Sequence, residues 1–244
     1  MSTRQRAIEV VLFDLDDTLH DDTRAYQSAA EEVAREIEVE HGIDALALKA
    51  AYVRAAEGFW KRLSADALQT ALAGVRRELW SSAFESVGVR DPALAERSAH
   101  RYNDYRKKHF VPFPGAIELL QRLRDRGKRL GLVTNGFSET HREKIALLRL
   151  GEAFDAIFIA DEVGMLKPDP LLFAHACTKL GSAPARGAMV GDRYDRDVRG
   201  AGVAGLFTVW LNVRGEALPP GADPLPDATC ATLADVGRLL EALP

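Results

Sequence analysis

Val10-Val11-Leu12-Phe13-Asp14-Leu15-Asp16-Asp17-Thr18-Leu19 is the stretch that decides the reading of this chain. Its first four residues form an unbroken apolar run. Such a run is expected of a strand buried on both faces in a parallel sheet. Asp14 and Asp16 follow at once, where the strand has ended and the chain is turning. Open α/β sheets place their chemistry there, beyond the carboxyl ends of the strands.

The grammar changes twice along the chain. Residues 7–14 read as the first strand. From about 22 to 110 no convincing strand is seen, and amphipathic helices are expected over Thr23–Glu40, Ala45–Leu63, Ala67–Val87 and Pro92–His109. Breaks fall near Gly42, Ser64-Ala65-Asp66 and Gly88-Val89-Arg90-Asp91. Asp91-Pro92 is a good helix start, a capping side chain followed by proline at the first helical position. From Pro112 short apolar strands alternate with helices. Strands are expected over Arg129–Val133, Ala156–Ala160, Gly187–Val190 and Leu206–Leu211, with a last short one near Thr229-Cys230. The helices between and beyond them are Pro114-Gly115 through Arg126, Ser138–Leu150, Pro170–Leu180, Tyr194–Ala201 and Leu233–Leu243. Pro219–Pro226 reads as a surface loop. This alternation means βαβ units and right-handed crossovers. The expected fold class is therefore α/β, a parallel-sheet core (1–20 and 111–244) interrupted after its first strand by an all-helical insertion (21–110). An insertion that leaves the core beside the acidic pair is expected to act as a lid over it.

Composition narrows the function classes. With 47% apolar and 28% charged residues over 244 positions, the chain is an ordinary globular protein. A net charge of −4 gives no electrostatic reason to expect nucleic acid or an anionic membrane as partner. Cys177 and Cys230 are far apart and form neither a disulfide framework nor a zinc motif, so a reducing compartment is the default. Met1–Arg6 is polar and basic, the apolar stretch after it is too short for a signal peptide, and no run approaches a membrane span. The expectation is a soluble, cytoplasmic protein. Its oligomeric state is not readable.

Later strand ends carry residues suited to one reaction. Arg129–Val133 runs into Thr134-Asn135-Gly136, and Lys167-Pro168-Asp169-Pro170 lies after Ala156–Ala160. Gly187–Val190 runs into Gly191-Asp192, with Asp195 and Asp197 close behind. Crowded carboxylates repel one another, which raises their pKa values. A divalent cation resolves the conflict, and oxygen-only ligands point to Mg²⁺. A lysine and a hydroxyl supply positive charge and a donor for phosphate oxygens. An aspartate facing phosphorus can attack in line to give an aspartyl-phosphate. A second carboxylate can protonate the leaving alkoxide and then activate water.

On these four motifs, present in order and spanning essentially the whole chain, the sequence resembles the haloacid dehalogenase-like (HAD) hydrolase superfamily. The likeness is to its branch with a helical cap inserted after the first motif. The resemblance implies a Rossmann-like core and Mg²⁺ dependence. It implies Asp14 as nucleophile and metal ligand, and Asp16 as general acid/base whose main-chain carbonyl also binds the metal. Thr134, with Asn135, would bind the transferring phosphoryl group, and Lys167 would neutralise nucleophile and phosphate. Asp192 would be the remaining protein metal ligand. Asp197 would support the metal through water or by holding Lys167. Dehalogenases of this branch lack an acid at the position of Asp16, so its presence favours phosphate ester hydrolysis. The implied substrate is a small phosphorylated metabolite: a sugar phosphate, phosphoglycolate or a nucleoside monophosphate. A phosphomutase is the alternative, and a dehalogenase or a regulatory protein is less favoured.

Other polar residues read as structural. Asp17 is expected in a turn, Thr18 in the loop or supporting Asp14, and Asp195 as a helix N-terminal charge. His20-Asp21-Asp22 is expected to be a solvated hinge, and Arg106-Lys107-Lys108-His109 an exposed charge run. Lys49 and Lys61 read as surface lysines. Phe59-Trp60-Lys61-Arg62 is open between helix packing and substrate contact.

Overall fold

The computed structural model describes residues 7–64 and 72–244. The polar segment Met1–Arg6, the break at Ala65-Asp66 and the start of the helix expected from Ala67 lie outside the described residues. Two compact units are present. One comprises Met1–His20 with Pro112–Pro244, the other Asp21–Val111.

The first unit is built on six parallel strands: β1 (Val10–Phe13), β2 (Arg129–Thr134), β3 (Ala156–Ile159), β4 (Gly187–Gly191), β5 (Phe207–Leu211) and β6 (Ala228–Cys230). They hydrogen-bond in the order β3-β2-β1-β4-β5-β6. This is the α/β, Rossmann-like class. Every residue of β1 is buried, as its unbroken apolar run requires. The order reverses beside β1, whose neighbours β2 and β4 come from opposite directions of winding. Phe13 pairs with Leu132 on one side and Val190 on the other. The three strands therefore end nearly level, and Asp14, Thr134 and Asp192 leave the same edge. That edge is the topological switch point, the crevice where open α/β sheets hold ligands.

The second unit contains α1 (Asp22–His41), α2 (Ala45–Lys61), α3 (Leu72–Ser86) and α4 (Pro92–Lys108). Consecutive helices pack on one another and α4 returns to α1, closing a four-helix arrangement. Tyr52 and Trp80 stack at 4.3 Å between ring centroids, and Tyr102 lies 4.9 Å from Tyr52. Asp91 accepts a hydrogen bond from the Leu94 amide at 2.9 Å ahead of Pro92, the capping read from the sequence. Two expectations need correction. Asp22 is not solvated but paired with Arg106 at 2.7 Å, and Arg106 is buried instead of belonging to an exposed run. A guanidinium stays buried only with such a partner. Lys107 and Lys108 are exposed as expected. Lys49 pairs with Glu31 at 2.6 Å, and Phe59 and Trp60 meet edge to face at 5.1 Å.

The remaining helices belong to the sheet unit: α5 (Ala116–Asp125), α6 (Ser138–Leu147), α7 (Ala160–Val163), α8 (Pro170–Lys179), α9 (Arg199–Val203) and α10 (Leu233–Ala242). α5 buries Ala116, Leu119, Leu120 and Leu123, the apolar stripe of an ordinary core helix. The regular helix expected over Tyr194–Ala201 is instead a widened turn at Tyr194–Val198 followed by α9. The Arg199 amide bonds back to the Tyr194 carbonyl, one residue beyond the α-helical partner. Such widened turns are frequent at functional sites. Among the described residues no helix is long and apolar enough to cross a membrane.

Candidate active site

Asp14 stands one residue past β1, its amide bonded to the Val190 carbonyl at 3.0 Å. The chain then turns sharply. The Leu19 amide bonds to the Leu15 carbonyl at 2.9 Å and the Asp17 amide to the His20 carbonyl at 2.8 Å. Asp17 takes a positive φ of 57° in this turn, which aspartate tolerates better than most residues. Its carboxylate points away to Arg214 at 3.3 Å, in keeping with the turn reading.

Lys167 is the centre of the cluster. Its Nζ donates to Asp14 Oδ1 at 2.5 Å and to Asp197 Oδ1 at 2.6 Å. All three side chains are buried. The other oxygen of Asp197 accepts the Arg193 amide at 3.0 Å. Both Asp197 oxygens are thus engaged by protein donors. Gly191 makes this possible, since a Cβ there would lie 2.3 Å from Asp197 Cγ. The widened turn is what lets Asp197, a full turn past the strand, fold back beneath Gly191.

Asp192 is held by the turn after β1 on one side and by β5 on the other. Its amide donates to Thr18 Oγ1 at 3.1 Å, and Trp210 Nε1 donates to its carbonyl at 2.8 Å. Thr18 therefore steadies Asp192 and not Asp14. Carboxylate oxygens of Asp14, Asp192 and Asp197 all lie within 4.8 Å of one another. Burial raises the pKa of Asp14 to about 7. Lys167 opposes that rise, while Asp197 and Asp16 add to it. Asp192 is raised too, by loss of water and then by Asp14 and Asp197, its partial exposure moderating the effect. Burial works against the Lys167 charge, but Asp14 and Asp197 outweigh it and raise its pKa. One ammonium is too little for three acids, so the site is fitted to a cation.

Thr134 ends β2 and is buried. Asn135 makes two bonds to the Lys167 main chain, Nδ2 to the carbonyl at 2.9 Å and Oδ1 from the amide at 2.8 Å. The Asn135 side chain is thus occupied in holding Lys167. Asp195 pairs with the neighbouring Arg193 at 3.2 Å and stays out of the cluster.

Sequence reasoning missed the surroundings of Asp16. Lys144 Nζ donates to Asp16 Oδ1 at 2.5 Å, and His141 Nε2 lies 3.4 Å from Oδ2. His20, expected in a solvated hinge, is fully buried with Nε2 3.9 Å from Oδ1. The spacing of His141 and Lys144 puts both on one face of α6. In the sequence a polar pair at that spacing looks like a solvated face, and only the packed helix reveals otherwise.

Comparison with known proteins identifies the family. A family model described as haloacid dehalogenase-like hydrolase matches residues 8–205. The chain belongs to that family. It is 35% identical to the phosphoserine phosphatase of Thermus thermophilus, over 97% of this chain and 100% of that protein. It is 31% identical to the glyceraldehyde 3-phosphate phosphatase of Methanopyrus kandleri, over 90% of this chain and 91% of that one. In fold it is similar to the HAD-hydrolase YfnB of Bacillus subtilis, solved bound to magnesium, with a TM-score of 0.77 and 22% identity over 96% and 99% of the two chains.

Proposed function

We propose that this protein is a Mg²⁺-dependent phosphatase that hydrolyses a small phosphorylated metabolite through an aspartyl-phosphate on Asp14. The reaction class is that of the phosphoric monoester hydrolases of the superfamily, given the family match and the phosphatases among its relatives. The observation that carries the finer reading is the contact of Lys167 with Asp14 inside a buried acid cluster at the switch point.

The carboxylates of Asp14 and Asp192 and the main-chain carbonyl of Asp16 would hold the metal. When bound, it supplies the positive charge that three acids and a phosphate dianion together require. Asp197 serves one step removed, its oxygens given to Lys167 and the Arg193 amide. Lys167 fixes one oxygen of Asp14 and leaves the other to attack phosphorus in line. Asp16 protonates the departing alkoxide and then takes a proton from the attacking water. Thr134 and the main chain around Asn135 donate to the phosphoryl oxygens.

The chain leaves the sheet unit after His20 and returns at Pro112, so the helical unit is inserted directly behind the acidic turn. We assign substrate choice to that unit. Phosphoserine and glyceraldehyde 3-phosphate, named for its relatives, are the first compounds to try, followed by sugar phosphates, phosphoglycolate and nucleoside monophosphates. The test is phosphate release from this panel with Mg²⁺ or with chelator, for the wild type and Asp14→Asn. Release that needs metal and is lost in the variant supports the reading. Full release in Asp14→Asn refutes it.

A further inference from the structure

α6 is the odd helix of the sheet unit. α5, of the same length, turns only alanine and leucines inward. α6 turns Thr140, His141, Lys144 and Ile145 inward, and Lys144 has no exposed surface. Lysine is almost never buried to this degree without a partner that repays the loss of water. The partner is Asp16 Oδ1 at 2.5 Å.

The helix is held in register for this contact. Asp161 in α7 accepts the Ser138 amide at 2.6 Å, tying down the first turn of α6. His141 Nδ1 donates to the Phe137 carbonyl at 3.0 Å, and Nε2 lies 3.4 Å from Asp16 Oδ2, to which it can donate only when the ring is protonated. The His141 ring lies where a side chain on residue 136 would be. A Cβ at Gly136 would meet Cε1 at 2.0 Å. Gly136 thus admits the ring beside Asp16, and the ammonium bonds one carboxylate oxygen while the ring stands against the other. A carboxylate on a turn has two free torsions. A bond to one oxygen, with a ring packed beside the other, limits that freedom.

We propose that Lys144, assisted by His141, is a positioning residue that sets the orientation of Asp16 for proton transfer to the leaving group. The proposal rests on the reading of Asp16 as general acid/base. Lys144 touches no substrate, since it is fully buried. Its effect on the reaction passes through Asp16. A displaced proton donor slows the step that needs the proton and leaves substrate binding unchanged. Loss of Lys144 should therefore depend on how much the leaving group needs protonation.

The experiment compares wild type, Lys144→Met, Asp16→Asn and the double variant on an alkyl phosphate substrate and on 4-nitrophenyl phosphate, both with saturating Mg²⁺. Lys144→Met keeps an unbranched side chain, one atom shorter, and removes its charge. Expected is a fall in the single-turnover rate of leaving-group release from the alkyl substrate on the order of 10- to 100-fold with substrate binding within about twofold, and a change below about threefold on the aryl substrate; release reads the acid step alone, ahead of the base step that both substrates share. Adding Lys144→Met to Asp16→Asn should cost nothing further, because the two act as one unit. Equal losses on both substrates, no loss on either, or additive losses in the double variant overturn the proposal. Asp16→Asn separates the two levels. If it slows leaving-group release from both substrates equally, the acid role of Asp16 itself fails. If it is selective and Lys144→Met is not, only the role of Lys144 fails. Should Lys144→Met not fold, Lys144→Arg and His141→Asn are judged by the same selectivity.

Discussion

Asp14→Asn should do more than stop turnover: it should stabilise the metal-free protein, and more so at high pH. Burial holds the Asp14 pKa at about 7 against an ordinary 3.8, even with Lys167 in contact. A carboxylate whose pKa is raised on folding contributes stability that is fully present below its unfolded pKa and is lost as pH rises through the folded one. The metal-free wild type should therefore weaken from about pH 4 to pH 8. The rise from 3.8 to about 7 corresponds to roughly 4 kcal/mol between the two protonation states, at about 1.4 kcal/mol per pH unit. Asparagine keeps the size and can still accept from Lys167, but carries no charge. About half of the 4 kcal/mol should survive the weaker contact to Lys167, since a charged acceptor binds a donor better than a neutral one. Roughly 2 kcal/mol in a protein of this size is about 4–8 °C in Tm. The assay is thermal unfolding in chelator at pH 5.5 and 8.5. Asp14→Asn should match the wild type at the lower pH and exceed it by that margin at the higher. Mg²⁺ should raise the wild type most at pH 8.5 and the variant little at either pH. A variant less stable than wild type at pH 8.5, or one with the same pH slope, would refute the argument that Asp14 is held at an electrostatic cost.

Further outcomes follow from single contacts. Asn135→Ala removes both side-chain bonds to the Lys167 main chain and should cost about 1–3 kcal/mol in denaturant unfolding, with kcat falling as Lys167 loosens. An unchanged kcat would mean that the clamp is idle. Gly191→Ala places a methyl 2.3 Å from Asp197 Cγ, so Asp197 must leave Lys167. Destabilisation of about 1–3 kcal/mol is expected together with a loss of activity above tenfold, and wild-type kinetics would contradict the role given to Asp197. Trp210→Phe deletes the donor to the Asp192 carbonyl and should weaken Mg²⁺ binding, read by titration calorimetry, while leaving the fold cooperative. Unaltered affinity would show that Asp192 needs no such support.

What the sequence could show depended on range. The run Val10–Phe13 announces a buried parallel strand because period and composition are local, and the turn after it forces Asp14 to the sheet edge. Thr134 and Asp192 were legible for the same reason, at or just past the end of an apolar run, and Lys167 through the Lys167-Pro168-Asp169-Pro170 stretch in the loop after the third strand. The widened turn at Tyr194–Val198 was not. It depends on Gly191 leaving space for a side chain six residues later, a contact that no periodicity reports. The bonds from Asn135 to the Lys167 amide and carbonyl were not legible either, because those partners are main-chain groups invisible in a residue string. Lys144 and His141 were missed because helix patterning assigns polar residues to solvent. Their burial is set by Asp16, more than a hundred positions away.

The most direct test of the central claim is to quench a single turnover in acid and look for the phosphoryl group on the protein. With radiolabelled substrate and Mg²⁺, the account predicts transient label on wild type, carried by the peptide containing Asp14 and absent from Asp14→Asn. Asp16→Asn should accumulate the label from an aryl phosphate, because hydrolysis of the intermediate then lacks its base. Phosphate release with no labelled protein at any time, or label on any other residue, would contradict it.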